Sequence, residues 1–182
     1  MEFGLTGAQE ELRDRVRRFL DEVSPSAEVR RLMETPSGCD PAVWERMAVG
    51  IGMPGLHLPV AMGGAGLGWI ELAVALEEAG AALLCAPLLA TATAAAVIQA
   101  TDDGELAAEI LPAIAAGRCV ATLAVAEDSG RWEEAGVHTR ALRAPDGDWR
   151  LEGHKSYVVD GATADLLVVA AREDDDGRVG LF

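Results

Sequence analysis

The sequence predicts an α+β protein, with an all-helical part over residues 1–118 followed by a β part over residues 119–182. Apolar residues recur at three- and four-residue spacing through the first part, which is the pattern of amphipathic helices. The second part holds short runs rich in β-branched residues, separated by turn signals such as Pro145-Asp146-Gly147-Asp148. Because 50% of the 182 residues are hydrophobic, the chain has enough apolar side chains to build a core.

The first two helices have recognisable starts. Thr6 and Gln9 form a capping-box pattern. The helix that follows runs to Pro25, and its apolar face consists of Leu12, Val16, Phe19, Leu20 and Val23. Asp40-Pro41 places an N-cap residue before a proline at the first helical position. That second helix ends at the glycines of residues 50–52, and its buried face consists of Val43, Trp44, Met47 and Ile51.

A glycine-rich stretch, residues 59–69 (PVAMGGAGLGW), precedes the third helix. A dinucleotide-binding loop would need a glycine where Trp69 stands, and a P-loop would need a lysine that this stretch lacks. We therefore favour a tight interhelical loop over a phosphate-binding loop, since glycine permits positive φ and close chain contact. In the third helix, which ends at Gly80, we interpret Glu77 and Glu78 as a solvated face.

Residues 79–98 form an uncharged run that is long enough to cross a bilayer. Alanine and threonine dominate the run, and Gly80 and Pro87 interrupt it, so we favour a buried helix over a membrane span. Thr101-Asp102-Asp103 then caps a fifth helix that Gly117 ends. Its inward side consists of Leu106, Ile110, Leu111 and Ile114.

The β part is expected to contain five strands, over residues 119–126, 137–144, 149–159, 166–171 and 178–182. The last of these resembles the opening of a strand more than the end of a domain. A small sheet of this kind would leave unpaired edges, which natural proteins normally cover. We therefore expect the sequence to be a piece of a longer protein, or to be completed by a partner chain.

Composition and charge disfavour several classes of function. The net charge of −15 disfavours nucleic acid as a partner, because phosphates would be repelled. The three cysteines and three histidines are scattered without a CxxC pair or ligand spacing, so we expect neither a disulfide framework nor a metal site. The first residues lack the basic and apolar regions of a signal peptide. These features predict a cytoplasmic protein that does not enter the membrane.

Five motifs, in chain order, resemble those of the acyl-CoA dehydrogenase family and together cover nearly the whole chain. They are Leu5-Thr6 with Gln9 and Leu12; Pro59 and the glycine loop 63–68 with the helix motif LEEAG at 76–80; LPAIAAG at 111–117; LEGHKSYVV at 151–159; and Gly161 followed by ADLLVV at 164–169. The resemblance implies an all-α amino-terminal domain, residues 1–118, and the first part of a β-barrel-like middle domain, residues 119–182, which is truncated.

The resemblance also implies a function. Enzymes of this family oxidise an acyl-CoA thioester to the 2-enoyl-CoA with FAD, and they assemble as oligomers. Their catalytic base is a glutamate in a second helical bundle, so we expect it beyond residue 182 and assign no catalytic residue here. Two segments of the middle domain normally contact the flavin. By matching motifs, the expected cofactor-binding residues are Ala124, Ala126, Glu127, Tyr157, Val158 and Val159.

This sequence departs from the family pattern at those segments. Ala126 and Val159 stand where the family has threonines, and Asp128 stands where it has proline. One alternative is therefore a partner subunit that does not bind flavin, as in heterotetrameric acyl-CoA dehydrogenases of steroid-degrading bacteria. Another is a flavin-dependent monooxygenase of the same fold. Acyl chain length and branching are not readable from these residues.

Overall fold

The computed structural model describes residues 4–182, which form two compact units that meet in the sequence at Val120 and Ala121. The first unit contains six helices: α1 (Gly7–Val23), α2 (Ser26–Met33), α3 (Pro41–Gly50), α4 (Trp69–Ala81), α5 (Leu88–Gln99) and α6 (Gly104–Ala115). The second contains five strands: β1 (Ala121–Ala124), β2 (Arg140–Arg143), β3 (Trp149–Glu152), β4 (Leu166–Glu173) and β5 (Val179–Leu181). The α+β class is confirmed.

The predicted helix starts are confirmed by their hydrogen bonds. The Thr6 hydroxyl accepts from the Gln9 amide at 3.3 Å, while the Gln9 side chain accepts from the Thr6 amide at 2.9 Å, so the capping box is complete. The Asp40 carboxylate accepts from the Ala42 amide at 2.9 Å, and Asp103 does the same for the Leu106 amide. These contacts are local, which is why the sequence alone reveals them.

One helix was not predicted, and several element boundaries differ from the predicted ones. Helix α2 was not predicted, because Pro25 was interpreted only as the end of α1, whereas it is also the N-cap of α2. The uncharged helix α5 begins at Leu88 and not at residue 79, because Pro87 fits only at the amino-terminal edge of a helix. Strand β3 ends at Glu152, and residues 153–159 form a loop.

The helical unit is built around one apolar core. Helices α1, α3 and α4 supply most of it, together with the short 3₁₀ turn Met53–Gly55. Its most deeply buried large side chains include Val16, Leu20, Met47 and Met53. Within residues 4–182 no helix is both long and apolar enough to cross a membrane.

The interpretation of Glu78 as solvent-exposed was wrong. Helix α4 packs along α1, and the Glu78 carboxylate, 9% exposed, accepts two hydrogen bonds from Arg17 at 2.7 and 2.9 Å. A nitrogen of Arg13 lies 3.5 Å from the same carboxylate. The Arg17 hydrogen bonds lower the pKa of Glu78 below its usual value. Glu77, the neighbouring residue, is exposed as predicted.

We expect Glu78→Gln to destabilise the helical unit by about 1–2 kcal/mol, because it removes a charge-assisted pair that is partly shielded from water. Glu77→Gln is the matched control, since it alters an exposed carboxylate one residue away and should change the free energy of unfolding by less than about 0.5 kcal/mol. Urea unfolding at pH 7 measures both. Equal effects of the two substitutions would contradict the assigned burial.

The second unit is a mixed five-stranded sheet. Strand β4 is central: it pairs in parallel with β1, with Ala121 opposite Leu166, and with β2 further along. Strand β3 pairs antiparallel with β2, and β5 pairs antiparallel with β4. The loop between β3 and β4, residues 153–165, returns beside the segment that follows β1. This return brings the predicted cofactor-binding residues into one region.

Candidate functional site

The glycine loop is tied to its own chain. The amides of Ala65, Gly66 and Leu67 donate to the carbonyls of Gly55, Leu58 and Leu56 at 2.9–3.0 Å. The amides of the two preceding glycines donate to carbonyls of the 59–60 segment. The amide at residue 68 donates to the Glu71 carboxylate, which already occupies the start of α4. The loop therefore presents no row of free N–H groups to a phosphate, and the interhelical interpretation is supported.

Two of the six predicted cofactor-binding residues have buried side chains. Ala124 is the last residue of β1 and lies opposite Val169 of β4. Ala126 is the second residue after the strand and is also buried. Its carbonyl accepts from the Ser156 amide at 2.9 Å. These alanines contribute to the packing of the sheet and do not present a side chain to a ligand.

Glu127 is held by several donors. One carboxylate oxygen, Oε1, lies within hydrogen-bond distance of the His138 amide, the Thr139 amide and hydroxyl, and the Lys155 ammonium, at 2.7–2.9 Å. The side chains of Glu127 and Lys155 are 12% and 9% exposed. The carboxylate is therefore committed to the protein.

These contacts decide the ionisation of Glu127. Burial by itself raises the pKa of the Glu127 carboxyl. The Thr139 amide, the Lys155 ammonium, the Thr139 hydroxyl and the His138 amide act in the opposite direction and outweigh it, so the pKa falls to about 2. Glu127 is consequently a permanent anion at neutral pH.

The other three predicted residues lie on the β3–β4 loop. Tyr157 is 75% exposed and has a φ of +58°, which is uncommon for a residue other than glycine. Val158 is half-buried. Val159 is 56% exposed, and its carbonyl accepts from the buried Thr122 hydroxyl at 2.6 Å. The structure thus exposes Tyr157 and Val159 together at the surface of the sheet unit.

A cavity of about 340 Å³ lies beside Glu127 and is lined by Glu127, Asp128, Ser129, His138, Thr139, Gly153 and His154. The larger cleft, about 810 Å³, lies in the helical unit between α3, the glycine loop and the end of α6. Its walls are mainly glycine and alanine, and its only charged residues are Glu45 and Arg118. We place the candidate site in the sheet unit, because polar groups converge there.

Sequence reasoning missed the residues that hold this site together. They are Thr139, Lys155 and Ser156, whose contacts span 12 to 30 positions of sequence. One signal was available, since Lys155 is the only lysine in the chain and lies within the quoted LEGHKSYVV motif. Among residues 4–182 no group of three histidine, cysteine, aspartate or glutamate side chains could hold a metal ion.

His57 is a second residue that the sequence did not single out. It is buried beside the glycine loop, with its ring centroid 5.0 Å from that of Trp69. Neither ring nitrogen has a hydrogen-bond partner in the described structure. Burial lowers the pKa of His57 below its usual value of about 6.5, because the charged imidazole would lose its hydration.

We expect His57→Phe to stabilise the helical unit by about 1–3 kcal/mol, since it keeps an aromatic contact and removes unsatisfied polar atoms. In the parent protein the unfolded chain takes up the His57 proton more readily than the folded one. Stability should therefore be full above about pH 6.5 and fall below it. Unfolding measured at pH 5 and pH 8 should show that fall for the parent and for the exposed-residue control His154→Gln, and much less of it for His57→Phe.

A flavin at the candidate site would require hydrogen-bond partners from these residues. The isoalloxazine ring has a polar edge of nitrogen and oxygen atoms that requires hydrogen-bond partners. Four of the six predicted residues are alanine or valine, and the Glu127 carboxylate is already occupied by four donors. Only the Tyr157 phenol remains as a polar side-chain group. The side-chain donor set therefore does not fit the ring edge.

Comparison with known protein families gives a match that covers the helical unit. The family model described as "Acyl-CoA dehydrogenase, N-terminal domain" matches residues 6–118. Mitochondrial isovaleryl-CoA dehydrogenase of Pongo abelii is 29% identical over 176 residues, which cover 94% of this chain and 41% of that protein. This chain spans less than half the length of the curated relatives it matches.

Solved structures give the same result. A variant of the Tcur3481-Tcur3483 steroid ACAD superposes with a TM-score of 0.83 at 32% identity, covering 96% of this chain and 47% of that one. The ChsE4-ChsE5 complex of Mycobacterium tuberculosis superposes with a TM-score of 0.85 at 24% identity, covering 100% and 48%. The second likeness concerns the fold alone.

Proposed function

This chain belongs to the acyl-CoA dehydrogenase family, and from that premise we propose that it takes part in oxidising an acyl-CoA thioester to the 2-enoyl-CoA, with FAD as the redox cofactor of the assembly. The observation that carries the proposal is the match of the family's amino-terminal domain to residues 6–118. The order of motifs in the sheet unit supports it. We further propose that the family's domain division applies here, with residues 1–118 and 119–182 as its two parts.

The proposal gives the two parts different tasks. The helical unit supplies a rigid scaffold, and the sheet unit supplies a surface at Tyr157 and Val159. In the family the base that removes the α-proton belongs to a second helical bundle, so we assign that step to residues outside this sequence. The residues described here hold positions and exclude water, and none of them is given a proton-transfer role.

A second candidate function is a subunit that binds no flavin of its own and stabilises an active partner. Its specific support is the donor set at the candidate site: Ala126 is buried, Val159 is an exposed apolar side chain where the family has threonine, and four protein donors surround one oxygen of the Glu127 carboxylate. The similarity to the Tcur3481-Tcur3483 steroid ACAD variant is compatible with a partner. Under this proposal the partner supplies the hydrogen bonds to the flavin.

The test is to purify the full gene product, alone and together with a co-expressed homologue, and to measure FAD per chain and acyl-CoA oxidation. One FAD per chain with oxidation by the protein alone supports the first function. A colourless protein that acquires flavin only with its partner supports the second. Oxygen-dependent turnover with a separately reduced flavin would overturn both, in favour of a monooxygenase.

A substitution sharpens the test. If the missing hydroxyl limits flavin binding, Val159→Thr should increase the affinity for added FAD by about tenfold, the value of one good hydrogen bond. Leu167→Thr is the matched control, because it places the same side chain at another exposed apolar position of the sheet unit. Equal gains from both substitutions would count against a specific role for position 159.

A further inference from the structure

Residues 155–159, which we call the strap, are anchored at both ends. At the first end Lys155 donates to the Val125 carbonyl at 3.0 Å and to the Glu127 carboxylate at 2.9 Å. The next residue, Ser156, donates its amide to the Ala126 carbonyl at 2.9 Å and its hydroxyl to Asp128 at 2.6 Å. The first two strap residues are therefore hydrogen-bonded to four consecutive residues of the segment after β1, residues 125–128.

The second end is fixed by a different strand. The Thr122 hydroxyl, which is buried in β1, donates to the Val159 carbonyl at 2.6 Å. Between the two anchors only Tyr157 and Val158 remain. Tyr157 has a φ of +58°, a conformation that costs a residue other than glycine free energy and persists only where the surroundings impose it. The anchors are the surroundings that impose it.

The first anchor contains the ion pair between Lys155 and Glu127. Lys155 is the only lysine of the chain, and its ammonium donates to the Val125 carbonyl and to the Glu127 carboxylate. Glu127 in turn accepts from the first residues of the chain leading into β2, at Thr139. The pair thus joins three segments that are far apart in sequence. No ligand is needed to complete it, since both side chains are mostly shielded from water and are hydrogen-bonded within the protein.

We propose that Glu127 and Lys155 are positioning residues, which hold the backbone of the strap so that Tyr157 stands exposed at a fixed place on the sheet unit. This rests on the proposed function only in that the exposed ring is the surface offered to a cofactor or a partner subunit. Glu127 itself touches neither. The assignment differs from the one drawn from the family motif, in which Glu127 was expected to contact the cofactor.

The experiment uses the fact that Tyr157 is the only tyrosine in the chain. Protein of this sequence grown with 3-fluorotyrosine carries one ¹⁹F label, which reports on the Tyr157 ring without any added ligand. In the parent protein we expect the single signal at a chemical shift that differs from that of fluorotyrosine in an unfolded peptide. Glu127→Gln and Lys155→Met should each move this signal to the unfolded-peptide position while the sheet remains folded by circular dichroism.

Three further variants make the result decisive. Lys155→Arg retains the cation, so its signal should lie at the chemical shift of the parent protein. Asp174→Asn breaks an exposed ion pair with Arg140 in the same sheet and should leave the signal unchanged. If Glu127→Gln does not fold, Glu127→Asp replaces it, since its shorter side chain lengthens the contact with Lys155 and retains the charge.

The proposal is overturned if the Glu127 and Lys155 variants lower the melting temperature but keep the parent ¹⁹F signal, because the pair would then be merely stabilising. A move of the signal to the unfolded-peptide position in Asp174→Asn would overturn it as well. The measurement requires neither FAD nor acyl-CoA. Its failure is therefore separate from a failure of the proposed function, which the flavin and turnover assays decide.

Discussion

Gly64→Ala is expected to destabilise the helical unit by at least about 3 kcal/mol and to lower its melting temperature by on the order of 10–20 °C. A Cβ at this position would lie 2.6 Å from both the carbonyl carbon and the Cβ of Leu58, and nearer still to the Leu58 carbonyl oxygen. Atoms of the main chain cannot rotate away as a flexible side chain can. The loop must therefore open for the substitution to be accommodated.

The consequences reach beyond the loop. Leu58 is fully buried, and its carbonyl accepts from the Gly66 amide at 2.9 Å, so opening the loop exposes a core residue and breaks a hydrogen bond. The φ of Gly64 is not itself the obstacle, since Gly63 and Gly66 have positive values and Gly64 does not. Close contact of two chain segments is what requires glycine at this position.

Gly80→Ala is the control. Gly80 lies in the last turn of α4, and a Cβ there would meet nothing within 4 Å. Alanine in a helix is favoured over glycine by about 0.5–1 kcal/mol, so the control should be neutral or slightly stabilising. Thermal unfolding followed by circular dichroism compares the two. A Gly64→Ala protein that melts with the parent would show that Leu58 and Gly64 are not in contact.

The second large effect is the acid sensitivity of the sheet unit. The pKa of Glu127 lies at about 2 in the folded protein against 4.5 for an ordinary glutamate. A depressed pKa stabilises the fold at every pH above about 4.5, and the contribution is lost as the pH falls from 4.5 toward 2. At about 1.4 kcal/mol per pKa unit, the contribution is on the order of 3 kcal/mol.

Glu127→Gln should therefore lower the stability of the sheet unit at pH 7 by about that amount, and it should lack the acid dependence between pH 4.5 and pH 2. The parent and the variant should converge near pH 2. Hydrogen exchange of the β4 amides, measured across this range, follows the sheet unit by itself. Glu133→Gln, at an exposed position nearby, should behave as the parent does. A parallel offset of parent and Glu127→Gln at all pH values would contradict the assigned ionisation.

Contacts between residues close in sequence predicted much of the fold. The caps at Thr6, Asp40 and Asp103 lie within three residues of the groups they bind, so the sequence contains both partners of each contact. The class, most helices and the place of the glycine loop follow from such signals and from periodicity. The candidate site was predictable only by family resemblance, which selected its segments, and the ligand contact that it implies for Glu127 stays a prediction.

The sequence by itself thus determined where α1, α3 and α6 begin, approximately where the helical part gives way to strands, and which family motifs are present or altered. Only the tertiary structure decided that Glu78 is buried against Arg17, that Gly64 touches Leu58, and that Lys155 holds Glu127 while Tyr157 stands exposed. The physical reason is the range of the interactions. Capping and periodicity act between residues a few positions apart, whereas burial and ion pairing depend on segments that chain folding brings together.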